Sequence, residues 1–482
     1  MIPMGDTASM SPDSAEGSPR NRANPFLKII IPICAVTILL VVLAWFALGI
    51  EMGDEKIGAL SLGVTLALTL MATAIAVIEL MDAKQDRRAE DLKMLSRSLS
   101  RFRFNYAEKL RPMYHEAYKD KGFDTKDDPL IAKNDWLPDR LVTLDSALDL
   151  TIAGDRDDRG GYGKVGGKYT AKDTDKLSPR RDLPFSYNAR IYLGKNVFDN
   201  KIFVIDGISG KWDDGIGFKV VRSTYDKFFD TCELIAHLSA YYTDIEPRDD
   251  LCIELESYRE RAVGIGVCTL TVIRMSQDEA YFLVHHRSDK VGEAPGTVSM
   301  VPAGSFAPTG EYDHGDPENP IGDEPSLYNN VFREFEEELL GLTEVEHPQF
   351  FKPILGKEVF NRERLYYLGM GFDPVTTKME MVTMLVIDWT DKVEGMLFDL
   401  CEGHTADLSK VRKIEKPVAR VEAFFNEVSS SEGERIDMLR FDEGTLMRMY
   451  GDRQSMPVFR EALLQSLRLK LYDEFKKMGW SP

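Results

Sequence analysis

Two uncharged runs stand near the start of the chain, Ile29–Ile50 and Ile57–Ile78. As a helix each would reach about 33 Å, enough to span a hydrocarbon core of about 30 Å. Only Glu51–Lys56 separates them, so the pattern predicts an antiparallel transmembrane hairpin over 26–81. Residues 1–25 are rich in Ser, Pro, Gly, Asp and Asn and predict a disordered tail. Beyond the second run, Leu92, Leu95, Leu99, Phe102 and Tyr106, continued by Leu110 or Met113, recur at alternating spacings of three and four. That seam predicts an amphipathic neck helix over 82–120, ended or kinked at Pro112. It serves either as an oligomerising stalk or as a helix lying against its own domain. The basic residues between its apolar positions suit anionic lipid headgroups.

The segment 121–257 is less regular. Asp127-Asp128-Pro129 and Leu137-Pro138 mark turns, and Gly154–Gly167 reads as a mobile surface loop. Lys201–Ile205 and Phe218–Val221 read as strands, and Tyr225–Tyr242 as a helix. From 258 to 482 the pattern sharpens. Ala262–Met275, Tyr281–Ser288 and Val298–Gly304 are β-branched or apolar runs with strand character. A long Pro-bearing loop precedes a helix around Arg333, then come strands over Tyr366–Phe372 and Val382–Trp389 and a closing amphipathic helix over Ser455–Lys476. The predicted class is α+β: a helical hairpin and neck followed by a layered cytosolic domain.

Charge narrows the choice of partners. The net charge is −19, from 79 acids against 60 bases, which excludes a general nucleic-acid binder and direct DNA binding. The five cysteines are scattered without a CxxC pair and give no disulfide or zinc framework. Lys84, Arg87, Arg88, Lys93, Arg97, Arg101 and Arg103 follow the second uncharged run, while the short link holds only Lys56. By the positive-inside rule this predicts a two-pass inner-membrane protein with both termini cytoplasmic.

The most specific chemistry lies in Arg333-Glu334-Phe335-Glu336-Glu337-Glu338. On an α-helix Glu334, Glu337 and Glu338 share one face, and Val331, Phe335, Leu339 and Leu342 share a neighbouring one. Converging carboxylates repel unless a hard divalent cation lies between them, which points to Mg²⁺ or Mn²⁺. Arg333 sits one turn before Glu337 and can pair with it.

This order of residues resembles the second half of the Nudix box. The resemblance implies an α/β/α sandwich with a mixed sheet over about 258–482, with Glu334, Glu337 and Glu338 as metal ligands and catalytic groups beside Arg333. Val301-Pro302-Ala303-Gly304 is similar to the strand end that precedes the family's loop. The chain departs from the pattern in having two residues, Leu339 and Leu340, between the Glu pair and Gly341 where the family has one. Pro325 and Asn319 stand where the family has an upstream Glu and Gly, with Glu324 one place away, and the loop is longer. His285, His286 and Arg287 end a strand that can face a pocket, so His285 and Arg287 join Gly304 as candidate ligand contacts. His285 and His286, being adjacent on a strand, must point to opposite faces.

A membrane hairpin ahead of a Nudix-like domain resembles the membrane-spanning Nudix effectors of bacterial cyclic-oligonucleotide (CBASS) antiphage immunity. The resemblance implies a receptor for a cyclic oligonucleotide whose homo-oligomerisation drives the hairpins to disrupt the inner membrane. The same residues admit a membrane-tethered, Mg²⁺-dependent hydrolase of a nucleoside diphosphate derivative. They also admit a non-enzymatic membrane scaffold.

Overall fold

The computed structural model describes residues 54–123, 127–155, 168–195, 197, 200–287, 296–308, 325–342, 359–402, 406–429 and 433–477. The chain forms two compact units, Met1–Gln85 and Asp86–Pro482. The segments 121–257 and 258–482 both fall in the second.

Helix α1 spans Asp54–Tyr118. Among the described residues no helix is long and apolar enough to cross a membrane. That finding corrects the expected transmembrane hairpin and the two-pass inner-membrane placement with both termini cytoplasmic. The expectation rests on the lack of charge over Ile57–Ile78. Threonine recurs at every turn there, with Oγ1 of Thr69 and Thr73 donating to the carbonyls of Thr65 and Thr69. The helix then passes without a boundary into Asp82, Lys84 and Asp86. The first uncharged run, Ile29–Ile50, and the tail 1–25 lie outside the described residues, as does most of the Gly154–Gly167 loop.

In the second unit, the seam on α1 packs into the unit's own core: Leu92, Leu95, Leu99, Tyr106 and Leu110 are buried there. It therefore acts as a docking face within the chain rather than as a stalk. Phe102, expected in that seam, is 45% exposed. Its backbone leaves the helical region (φ −123°, ψ 24°), and this break resets the helical phase. From there Tyr106, Leu110, Tyr114 and Tyr118 follow at every fourth residue and are buried. The kink falls at Phe102, and Pro112 sits inside the helix.

A small sheet follows. Strand β1 (Val142–Thr143) belongs to the main sheet, whereas β2 (Leu148–Asp155), β3 (Lys201–Ser209) and β4 (Ile216–Thr224) form a separate one in the order β2-β4-β3. Helix α2 covers Phe185–Leu193. The expected helix over Tyr225–Tyr242 is interrupted by a π turn at Phe229–Glu233 before α3 (Leu234–Asp244). The amides of Phe203 and Ile205 on β3 donate to the carbonyls of Phe306 and Val263, tying the small sheet to the large one.

The large sheet has the order β1-β9-β10-β5-β6-β11, with β5 at Ile265–Arg274, β6 at Ala280–Arg287, β9 at Leu365–Phe372, β10 at Met379–Asp388 and β11 at Gly433–Arg440. Strands β5 and β10 run parallel at its centre, and every residue of both is buried. Central strands covered on both faces read as mostly apolar in place of alternation, and the buried charges in them are paired, Arg274 with Asp388 at 3.0 Å and Glu380 with Lys378 at 3.1 Å. The expected strand Val298–Gly304 is two short strands, β7 (Val298–Met300) on β6 and β8 (Ala303–Ser305) on β5. Pro302, which has no N–H to donate, lies between them.

Each face of the sheet carries its own core. Val267, Ile273, Leu283, Met381 and Leu385 pack with α4 (Leu327–Glu334) and α6 (Pro417–Val428). Leu270, Val272, Val284, Val382 and Met384 pack on the other side with α7 (Pro457–Arg468). The parity of these positions is the two-residue period of a strand. Burying each such side chain contributes about 1.5–3 kcal/mol. Helix α5 is Asp391–Cys401 and α8 is Leu471–Lys477. The expected helix Ser455–Lys476 is divided into α7 and α8 where Lys470 takes a positive φ of 49°.

Candidate functional site

Helix α4 begins at Ser326, whose hydroxyl accepts from the Asn329 amide. Val331, Phe332 and Phe335 are buried. Phe332, Phe335 and Tyr328 surround Phe360, with ring centroids 5.0–5.7 Å from it. This packing holds the polar face of α4 against the short strand β8. Val267 pairs with Gly304, so Gly304 lies on the face of the sheet that α4 covers. A Cβ on Gly304 would sit 2.0 Å from Cδ of Glu334. Glycine is thus what lets the Glu334 carboxylate lie directly over the strand.

The acidic sequence does not continue as a regular α-helix. Phe335–Leu339 forms a π turn. A π turn accommodates one more residue than an α turn, which accounts for the second leucine ahead of Gly341. It also removes the α-helical spacing that would stack Glu334, Glu337 and Glu338 on one face. Gly341 closes the element with φ +62°, and the Leu342 amide reaches back to the Glu336 carbonyl at 3.0 Å.

The carboxylates have donors from the chain itself. Glu338 Oε2 accepts from the Ala303 amide at 2.8 Å. Glu334 Oε1 meets Arg333 at 2.5 Å, and Glu337 Oε1 lies 3.8 Å from Arg333 Nε. Arg333 also donates to Asn330 Oδ1 at 3.2 Å and to the Ser305 carbonyl at 3.4 Å. Asn330, fully buried, accepts from the Ala307 amide. Arg333 and Asn330 therefore clamp the chain just after β8 onto α4, a role the sequence pattern did not assign to Asn330. Among the described residues no group of three or more His, Cys, Asp or Glu is placed to hold a metal ion. The donor set thus does not fit a Mg²⁺ or Mn²⁺ held by all three glutamates.

The other candidates separate by face. His285 pairs with Ser299 on β7 and Ile436 on β11, and its odd position puts it on the α4 side with Leu283. Burial, with Arg287 and His286 adding to it, pushes its pKa down to about 4, so it is neutral at neutral pH. Arg287 shares that face and is half-buried at the strand end. His286 points the other way, with Nε2 2.9 Å from Asp437 Oδ2. Gly304 and Glu334 are brought into contact, as are Arg333 and all but Glu338 of the three acids.

No known protein family matches the chain, and no curated protein matches it.

The Gly304–Glu334 contact is testable by a double-mutant cycle. Gly304→Ala is expected to cost about 1–2 kcal/mol, because only the end of a flexible side chain must yield. Combining it with Glu334→Ala should recover most of that loss, read as non-additive urea midpoints. Strict additivity would show that the two do not meet.

Proposed function

We propose that the second unit is a nucleotide receptor built on a Nudix-like scaffold, in which the acidic helix α4 holds β8 in place rather than a catalytic metal. The reading takes its ligand class, a nucleotide bearing linked phosphates, from the resemblance of the Arg333–Glu338 sequence to the Nudix box. The observation that carries it is the engagement of these acids by the chain's own donors. A hydrolytic Mg²⁺ needs carboxylate oxygens that point at one ion and leave open positions for water and substrate. Here one oxygen of Glu338 is committed to the Ala303 amide, and Glu334 is committed to Arg333 above Gly304. Binding without turnover asks only for a shaped surface and opposite charge.

The test is to incubate the full chain with Mg²⁺ and a panel of cyclic oligonucleotides and linear nucleoside diphosphate derivatives, then to chromatograph what stays bound and what is released. A nucleotide recovered intact from the protein is the expected result. Steady release of a monophosphate, abolished by Glu337→Gln with the fold unchanged, would make the protein a hydrolase and end the receptor reading.

A further inference from the structure

The second unit contains a cavity of about 690 Å³ that shares no lining residue with α4. Six cationic side chains line it: Lys93, Arg97, Arg101, Arg103, Lys195 and Arg453. Among the described residues the wall holds no Asp or Glu, in a chain whose net charge is −19; Lys93 reaches Glu90, outside the lining, at 3.1 Å. Composition alone would not produce such a surface here.

Lys93, Arg97 and Arg101 are spaced four apart, one stripe along α1. Like charges at this spacing repel one another in an isolated helix. Arg97, Arg101 and Arg453 are exposed, and no ion pair joins any of them to a carboxylate among the described residues. Arg103 at the base is buried and held 3.4 Å from Asp373 Oδ1, so its position is set by the fold. The N-terminus of α7 also borders the cavity through Met456 and Pro457, and Met456 supplies no side-chain cap there. The positive end of that helix therefore adds to the field of the six cations. Tyr192 places an aromatic ring in the same wall, which suits the face of a base as well as a phosphate, while the Phe104 ring is covered by Arg460 at 4.8 Å and Arg453 at 5.8 Å.

We infer that this cavity is a binding site for a ligand bearing clustered phosphates, and that a nucleotide is its occupant. The site rests on the cavity itself, while the identity of the occupant rests on the receptor reading above. The volume lies in the range of small-ligand pockets, about 300–1,000 Å³. Of the basic residues expected at lipid headgroups, Lys93, Arg97, Arg101 and Arg103 line this cavity.

The experiment uses the full chain and inorganic tripolyphosphate as the probe, titrated calorimetrically at low and high salt, with the nucleotide panel as competitors. The reversal R97E/R101E should weaken tripolyphosphate binding at least tenfold, and added salt should weaken binding to the unaltered protein. Both arginines are exposed, so the fold should persist, as checked by circular dichroism. The matched reversal K410E/K413E changes net charge equally at exposed positions elsewhere and should leave binding unchanged. Equal loss in both variants would overturn the site, as would no loss in either or no binding of any probe. A nucleotide that still binds R97E/R101E fully would overturn the cavity and leave the receptor reading standing. Tripolyphosphate lost in the variant, with no nucleotide competing in the unaltered protein, would support the cavity and overturn the receptor. Retention on phosphatidylglycerol vesicles alone, without tripolyphosphate binding, would reassign the stripe to lipid and overturn the inference.

Discussion

Glutamine at position 461 is expected to make the protein more stable above pH 7 by about 3 kcal/mol and to flatten its stability between pH 5 and 7. Glu461 lies on α7 and is fully buried. Its Oε1 accepts from Gln465 at 2.7 Å, and Oε2 lies 3.4 Å from the Leu130 amide. Burial first, and then the charge of Asp128, push its pKa up from 4.5 to about 7. Asp128 is itself held by Arg468. Between those two values the folded chain keeps a proton that the unfolded chain has lost. Stability therefore falls as pH rises through that window and levels off above it. Glutamine accepts and donates in the same place and carries no titrating proton. Urea midpoints at pH 5, 6, 7 and 8 check this. A slope that survives in E461Q would assign the titration elsewhere.

The second large effect is at Gly341. Alanine there is expected to cost about 2–4 kcal/mol, from a left-handed φ that disfavours a side chain and from a Cβ driven into neighbouring structure. The Cβ would lie 2.1 Å from the carbonyl oxygen of Val428 on α6. That oxygen is backbone, so it cannot swing aside as Glu334 can at Gly304. Gly341→Asn separates the two causes, since asparagine tolerates positive φ but still carries a Cβ. Both variants should show similarly lowered urea midpoints. Rescue by asparagine would mean that conformation alone matters.

Much of the large sheet was legible in the sequence because its central strands are long and rich in β-branched residues, and burial on both faces keeps them mostly apolar. The observed β5, β6, β9 and β10 each overlap an expected strand. The small sheet was only partly legible: Lys201–Ile205 and Phe218–Val221 marked the cores of β3 and β4, while the short apolar–polar alternation of Leu148-Asp149-Leu150-Thr151-Ile152 that forms β2 stands amid polar sequence and was not assigned. The seam of α1 was legible as an apolar stripe, yet its partner was not, since a heptad does not say which surface it meets. Phe102 left the stripe because of a local backbone break that no periodicity records. At the acidic helix, an unexpected second leucine was visible before Gly341, but spacing alone could not show that a π turn absorbs it. The membrane hairpin was misread because absence of charge over Ile57–Ile78 does not by itself make a helix apolar enough to span, and no described helix is. The cationic cavity was hidden for a different reason. Its wall is assembled from α1, the end of α2, the turn before β7 and the segment entering α7, which lie far apart in sequence, and only the α1 stripe shows a charge pattern by itself.

The parallel pairing of β5 with β10 bears on how the protein is made. Thr269 and Thr383, whose hydroxyls meet at 2.8 Å across this pair, are 114 residues apart in the chain. A ribosome adding about 5–20 residues per second takes roughly 6–23 seconds to bridge that interval. Throughout it, β5 has one ladder edge bare, while β6 and β8 are already available to pair with its other edge. Such an edge is where a nascent chain pairs with the wrong partner. Production of this protein should therefore be most sensitive to temperature and chaperone supply while the stretch from β8 to β10 is being translated.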